Sequence, residues 1–148
     1  MAGILLADPV GDLTRLSASD RRALFGPLRR DPADALTDSF HQLLQGARPE
    51  TNARVLEDFR ACDPTIAAGI LEVGSTESPI DDLERLVVPV WSVTTPFNRQ
   101  PNALHRHSPL IHQVDLASAG HWLMMDEPTG FNQVLDAFLD AVRASRQG

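Results

Sequence analysis

Lysine is missing altogether from these 148 residues, so the thirteen cationic side chains are all arginine and face twenty carboxylates, for a formal net charge of −7. With a sequence pI near 5.0, the chain lacks the basic stripe that neutralises phosphates, which argues against nucleic acid as a partner. Cysteine occurs once, as Cys62. A lone cysteine closes no internal disulfide and excludes CxxC-type zinc or redox sites within one chain, so Cys62 reads as a small helix residue. Long apolar runs are absent too. Nothing approaches the ~18–20 residues that span a bilayer, and no charged segment precedes the short apolar run after Met1. Neither a membrane span nor a secretory signal is expected, and a soluble, cytoplasmic chain is. Repeats and low-complexity tracts are lacking as well. What is present is a hydrophobic share of 43%, enough for a packed core, in a length that suits one globular domain.

Gly3-Ile4-Leu5-Leu6-Ala7 is a continuous apolar run closed by Asp8-Pro9 and Gly11, the pattern of a strand buried on both faces of a parallel sheet. From Ser17 to about Leu86 the texture is helical and broken by caps. Ser17 with Asp20 starts one helix, carrying Leu24, Phe25 and Leu28, and Asp31-Pro32 starts a second, carrying Leu36, Phe40, Leu43 and Leu44. Pro49 to Ala61 presents Val55, Leu56 and Phe59; Asp63-Pro64 opens a helix with Ile66, Ile70 and Leu71; Ser78-Pro79 opens a short last one. A capping-box pattern at Ser17 and Asp20, and a cap residue before proline at Asp31, Asp63 and Ser78, mark these starts. Val87 to Val93 is β-branched and reads as a strand, Asn98 to His107 as a helical stretch between Pro96 and Pro109, and Ile111 to Leu116 as a half-exposed edge strand. A final amphipathic helix runs from Glu127 or Pro128 to about Arg146, with Phe131, Val134, Leu135, Phe138, Leu139 and Val142 at helical spacing. This alternation predicts an α/β fold: a short parallel sheet of about three strands, a helical insert over 13–86, and a C-terminal helix. Three strands leave an open edge near Gly3–Ala7.

The segment Gly120-His121-Trp122-Leu123-Met124-Met125-Asp126-Glu127-Pro128, followed by Phe131-Asn132-Gln133-Val134-Leu135, resembles the C-terminal signature of the α/β-hydrolase superfamily. Leu86 to Val93 resembles that family's seventh strand and Gly3 to Gly11 its sixth, with 13–86 as the helical cap and 87–148 as the last two strands, histidine loop and final helix. The resemblance covers the whole chain but only the C-terminal half of the family's fold. Missing is the nucleophile elbow Gly-x-Ser-x-Gly; Gly74-Ser75-Thr76 is the nearest imitation and reads as a cap.

The resemblance makes His121 the catalytic base, which must take the nucleophile's proton and return it to the leaving group. The acid usually follows the seventh strand, but Val93-Thr94-Thr95-Pro96-Phe97-Asn98 holds no carboxylate. Some members carry it after the sixth strand, which points to Asp8, with Asp12 in reserve; the bland alternative for Asp8 is a turn residue bonding its own backbone. Asp126 and Glu127 read as the cap of the final helix. Trp122, Phe97 and Met124, with Met125, are candidates for lining a substrate pocket, and Leu43, Leu44, Val55 and Phe59 for closing over it, against the simpler alternative of core packing. His105, His107 and His112 do not converge at helical spacing, so a solvated helix end is expected rather than a metal site. No cofactor is expected.

Two functions follow. The first is hydrolysis of an ester-like or amide-like carbonyl of a small-molecule substrate, with base, acid and cap from this chain and the nucleophile from a complementing N-terminal half. The second is non-catalytic: a truncated product, as Met1 directly before a core strand suggests, or a binding module that self-associates through its open sheet edge.

Overall fold

The structure is a computed structural model that describes residues 2–146. Met1, on which the truncation argument rests, lies outside the described residues, as do Gln147 and Gly148. Three parallel strands, β1 (Ile4–Ala7), β2 (Val90–Thr94) and β3 (Ile111–Asp115), form one sheet in the order β1-β2-β3. Ile4 stands beside Val90 and Val90 beside Ile111, so the carboxyl ends of all three strands finish together. Between β1 and β2 run α1 (Ala18–Arg30), α2 (Pro32–Leu43), α3 (Pro49–Arg60), α4 (Pro64–Val73) and α5 (Pro79–Leu83); after β3 come the short α6 (Leu123–Asp126) and α7 (Pro128–Ser145). No helix among the described residues is long and apolar enough to cross a membrane.

The starts of the helices follow their local chemistry. Ser17 Oγ accepts from Asp20 N at 3.1 Å and donates to the Asp20 carboxylate at 2.7 Å, a reciprocal cap. Asp31 accepts from Asp34 N at 3.2 Å and Asp63 from Thr65 N at 2.8 Å, each relieving an otherwise unpaired first-turn donor.

Strand alternation divides the core. Ile4, Leu6, Val90 and Ile111 face one way, against Ile80 and Leu104. Leu5, Trp91, Val93 and Val114 face the other, against Leu123, Phe131 and Val134. On that second side α7 buries Val134, Phe138 and Val142, one stripe at helical period. Gly3 lets the chain pass close to this helix, since a Cβ there would meet Val142 Cγ2 at 2.6 Å. A third cluster, Phe25, Leu28 and Leu36 with Phe59 and Leu71 beside them, gives the helical segment a core of its own. At roughly 1.5–3 kcal/mol per buried side chain, that cluster holds α1 to α4 together.

Three expectations need correction. β1 is half-exposed instead of buried on both faces, because its outer edge has no neighbouring strand among the described residues. β2 starts at Val90, and Val87 is 99% exposed: Pro89 has no N–H to donate, and takes part only through its carbonyl, which accepts Ile4 N at 2.9 Å. The segment 98–107 is not one helix but two 3₁₀ turns, Pro96–Arg99 and Leu104–Arg106. Pro101 separates them by driving Gln100 into extended backbone (φ −71°, ψ 153°).

Candidate functional site

The aligned strand ends bring three loops to one edge of the sheet, where sites in open parallel sheets form. Asp8 is the first residue past β1. It is fully buried and holds φ +46°, alone among the described non-glycine residues in being positive, a strained conformation that persists only when neighbours over-determine it. Those neighbours come from the loop after β2. Oδ1 accepts from Thr95 N at 2.8 Å and Asn98 Nδ2 at 3.2 Å, and Oδ2 accepts from Thr95 Oγ1 at 2.8 Å. Asn98 Nδ2 also donates to Pro9 O, fixing the turn behind Asp8.

The loop after β3 completes the group: His121 Nδ1 lies 2.8 Å from Asp8 Oδ2. A carboxylate accepts only, so Nδ1 carries a proton, and in the neutral imidazole the lone pair is on Nε2. Nε2 takes no partner among the described residues, and the side chain is 20% exposed. Phe97 and Trp122 form T-shaped contacts with the imidazole, with centroids at 5.2 and 5.0 Å. Trp122 in turn meets Phe40 at 5.8 Å, and Phe40 stacks on Phe59 at 4.2 Å. An aromatic row thus joins the helical segment to the histidine loop.

Asp126 fixes that loop and is not the helix cap the local pattern predicts. Its carboxylate is buried, accepting Gly120 N through Oδ2 and Arg48 N through Oδ1, both at 3.0 Å. Glu127 does occupy the N-cap position of α7, but its side chain makes no capping bond there and pairs with Arg48 at 3.6 Å. Position 120 needs glycine: a Cβ would stand 2.6 Å from Asp126 Oδ2 and 3.0 Å from Ala47 Cα.

Asp12, the reserve acid, is elsewhere engaged. It caps the 3₁₀ turn Leu13–Arg15, accepting from Thr14 N, Thr14 Oγ1, Arg15 Nε and Ser78 Oγ at 2.6–3.2 Å. Burial would raise its pKa, but these hydrogen bonds outweigh it and hold the carboxyl below the ordinary carboxylate value. Ser78, expected to cap α5, makes no cap there because its hydroxyl serves Asp12. Met124 and Met125 sit on α6 at 40% and 38% exposure, while Phe97 lines a cavity of about 300 Å³ together with Leu43. Leu44, Val55 and Phe59 pack as core.

The remaining histidines scatter. His107 Nε2 meets Pro101 O at 2.7 Å, and the His112 ring on β3 packs tilted against Trp91, centroids 4.3 Å apart. His105 is only partly solvated: its Nδ1 is buried without a partner among the described residues, and burial, with Arg106 adding to it, lowers its pKa. Among the described residues no group of three or more His, Cys, Asp and Glu is placed to hold a metal ion. Cys62 is exposed just past α3.

The local pattern passed over Thr95 and Asn98. Their only sequence signal is polar residues standing directly after a β-branched strand. Thr95 Oγ1 is engaged by Asp8 and Ser75 Oγ by Glu72 O at 2.7 Å, and neither makes a hydrogen bond to Nε2. The geometry is thus an imidazole held through Nδ1 by a buried carboxylate, and among the described residues no hydroxyl or thiol hydrogen-bonds its Nε2. No protein-family model matches the chain, and no curated protein matches it.

Proposed function

We propose that this chain supplies the base, His121, and the acid, Asp8, of an α/β-hydrolase-type enzyme acting on an ester-like or amide-like carbonyl. The nucleophile and oxyanion donors come from polypeptide outside these 148 residues. The observation that carries the reading is the Asp8–His121 contact of 2.8 Å at the carboxyl edge of a parallel sheet, with Nε2 left to solvent and substrate. A buried acid orients the imidazole and stabilises its protonated form; Nε2 then takes a hydroxyl proton and returns it to the leaving group. The helical segment over 13–86 acts as the cap, tied to the histidine loop through Asp126 and Trp122.

The free outer edge of β1, with Ile4, Leu5 and Leu6 half-exposed, fits a strand from the nucleophile-bearing polypeptide. It also favours the second reading, a non-catalytic module that pairs with another copy. Treating the protein isolated from its source cells with a fluorophosphonate decides between them. The hydrolase reading expects label on a serine of the same or a co-isolated polypeptide outside this sequence, lost on His121→Ala. Label on the 148-residue chain itself, label that survives His121→Ala, or none at all refutes it.

A further inference from the structure

We infer that the half-open cavity lined by α1, α2, α4 and the loops following β1 and β2 binds a small, uncharged apolar group, the alkyl or aryl part of the substrate whose carbonyl end reaches His121. This rests on the reading of His121 and Asp8 as a hydrolase pair and adds the substrate class to it. The volume of about 300 Å³ is at the small end of ligand pockets, which run from roughly 300 to 1,000 Å³. The wall is mainly aliphatic and aromatic, with Leu13, Leu24, Phe25, Leu28 and Leu43 among its residues. Leu24 keeps 37% of its surface exposed and Val10, at the same cavity, 48%, although Phe25 and Leu28 beside them are closed into the core. Apolar surface is thus left for a ligand to cover.

Charge selects the ligand further. No arginine or histidine lines the cavity, and its one ionisable residue is the carboxylate of Asp20. An anionic ligand would enter without a counter-charge and against that carboxylate, whereas a neutral one meets no such cost.

Continuity with the site comes from two segments. Phe97 lines the cavity and stands 5.2 Å from the His121 ring; Val10 lines it two residues past Asp8. Asn102, also in the wall, holds these segments together, its carbonyl accepting Asp12 N at 2.8 Å and its amide donating to Val10 O at 3.4 Å.

Titration of the purified chain with N-phenyl-1-naphthylamine, a neutral fluorophore, tests the assignment without requiring hydrolysis. Saturable binding is expected, displaced by methyl hexanoate at least about tenfold more readily than by hexanoate, a difference of about 1.4 kcal/mol. Leu43→Trp fills the cavity and should weaken the probe about tenfold or more. Leu24→Arg, at a partly exposed position, keeps the test intact if Leu43→Trp does not fold, and should narrow or reverse the preference for ester over carboxylate. Ile70→Ser, on the exposed face of α4, should leave binding unchanged. No saturable binding, binding indifferent to both cavity variants, or binding lost with Ile70→Ser overturns the assignment. Probe binding that behaves as expected while fluorophosphonate label survives His121→Ala would leave the cavity standing and the hydrolase pair refuted.

Discussion

Replacing Asp126 by alanine should destabilise the protein far more than removing a helix cap would. The carboxylate satisfies Gly120 N, which is buried, and Arg48 N, which is partly so, each at 3.0 Å. Hydrogen bonds to a charged group contribute about 1.5–3 kcal/mol net, and a buried donor left unpaired costs its full desolvation penalty. Taking the Gly120 bond near the top of that range and the Arg48 bond near the bottom gives a loss of about 4 kcal/mol. That is a large part of a typical total of about 5–15 kcal/mol. In a chain of this size it lowers Tm by roughly 12 °C, at about 3 °C per kcal/mol. Urea unfolding measures it as a lower midpoint at unchanged m-value. Amide hydrogen exchange at Gly120 and Arg48 locates it, since both protons lose their acceptor. Asp126→Asn keeps one acceptor and should lose about half as much. Glu127→Ala removes only a partly exposed pair with Arg48 and should cost less than about 1 kcal/mol. An Asp126→Ala loss no greater than about 1 kcal/mol, the size of an ordinary cap, or unchanged exchange at Gly120 and Arg48, would refute the assignment of Asp126 as the tie between the histidine loop and the helical segment.

Asp8→Asn should preserve the backbone, because asparagine tolerates positive φ as aspartate does, while placing an NH₂ among the donors of Thr95, Asn98 and His121. A stability loss of about 2–3 kcal/mol is expected. Nitrogen NMR of His121 should also show its proton moving from Nδ1 to Nε2, and an unchanged tautomer would contradict the orienting role of Asp8. For His105, burial and then Arg106 lower the pKa, partly opposed by Asp115. The unfolded chain therefore binds the proton more readily, and stability falls as pH drops below the ordinary histidine value of 6.5. His105→Gln should flatten the fall in urea midpoint between about pH 7 and pH 5; an unchanged slope would assign that fall to other groups.

Much of the fold is legible in local chemistry. Ser17, Asp31 and Asp63 cap as their patterns predict because a cap acts within one turn. The stripe of Val134, Phe138 and Val142 likewise declares the buried face of α7 before any partner is known. The two missed caps share a cause. Asp126 and Ser78 stand where a cap is expected, but their oxygens go to Gly120 and Arg48 and to Asp12, the last two 78 and 66 residues away in the chain. Local pattern assigns a polar side chain to its nearest donors and cannot see competitors that folding brings closer.

The amino-acid sequence by itself determined the succession of strands and helices, the open edge of the sheet, the all-arginine acidic surface, and the nomination of His121 and Asp8. It left Asp8 and Asp12 as alternatives, since both follow the first strand. Only the tertiary structure decided between them. Parallel register places the residue just past β1 beside the loop after β2 and within reach of the loop after β3, so Asp8 meets His121 across 113 residues of chain. Four residues further on the chain has turned away, and the Asp12 carboxylate is held by Thr14, Arg15 and Ser78. Direction at the end of a strand, rather than proximity in sequence, selects the carboxylate that faces the imidazole.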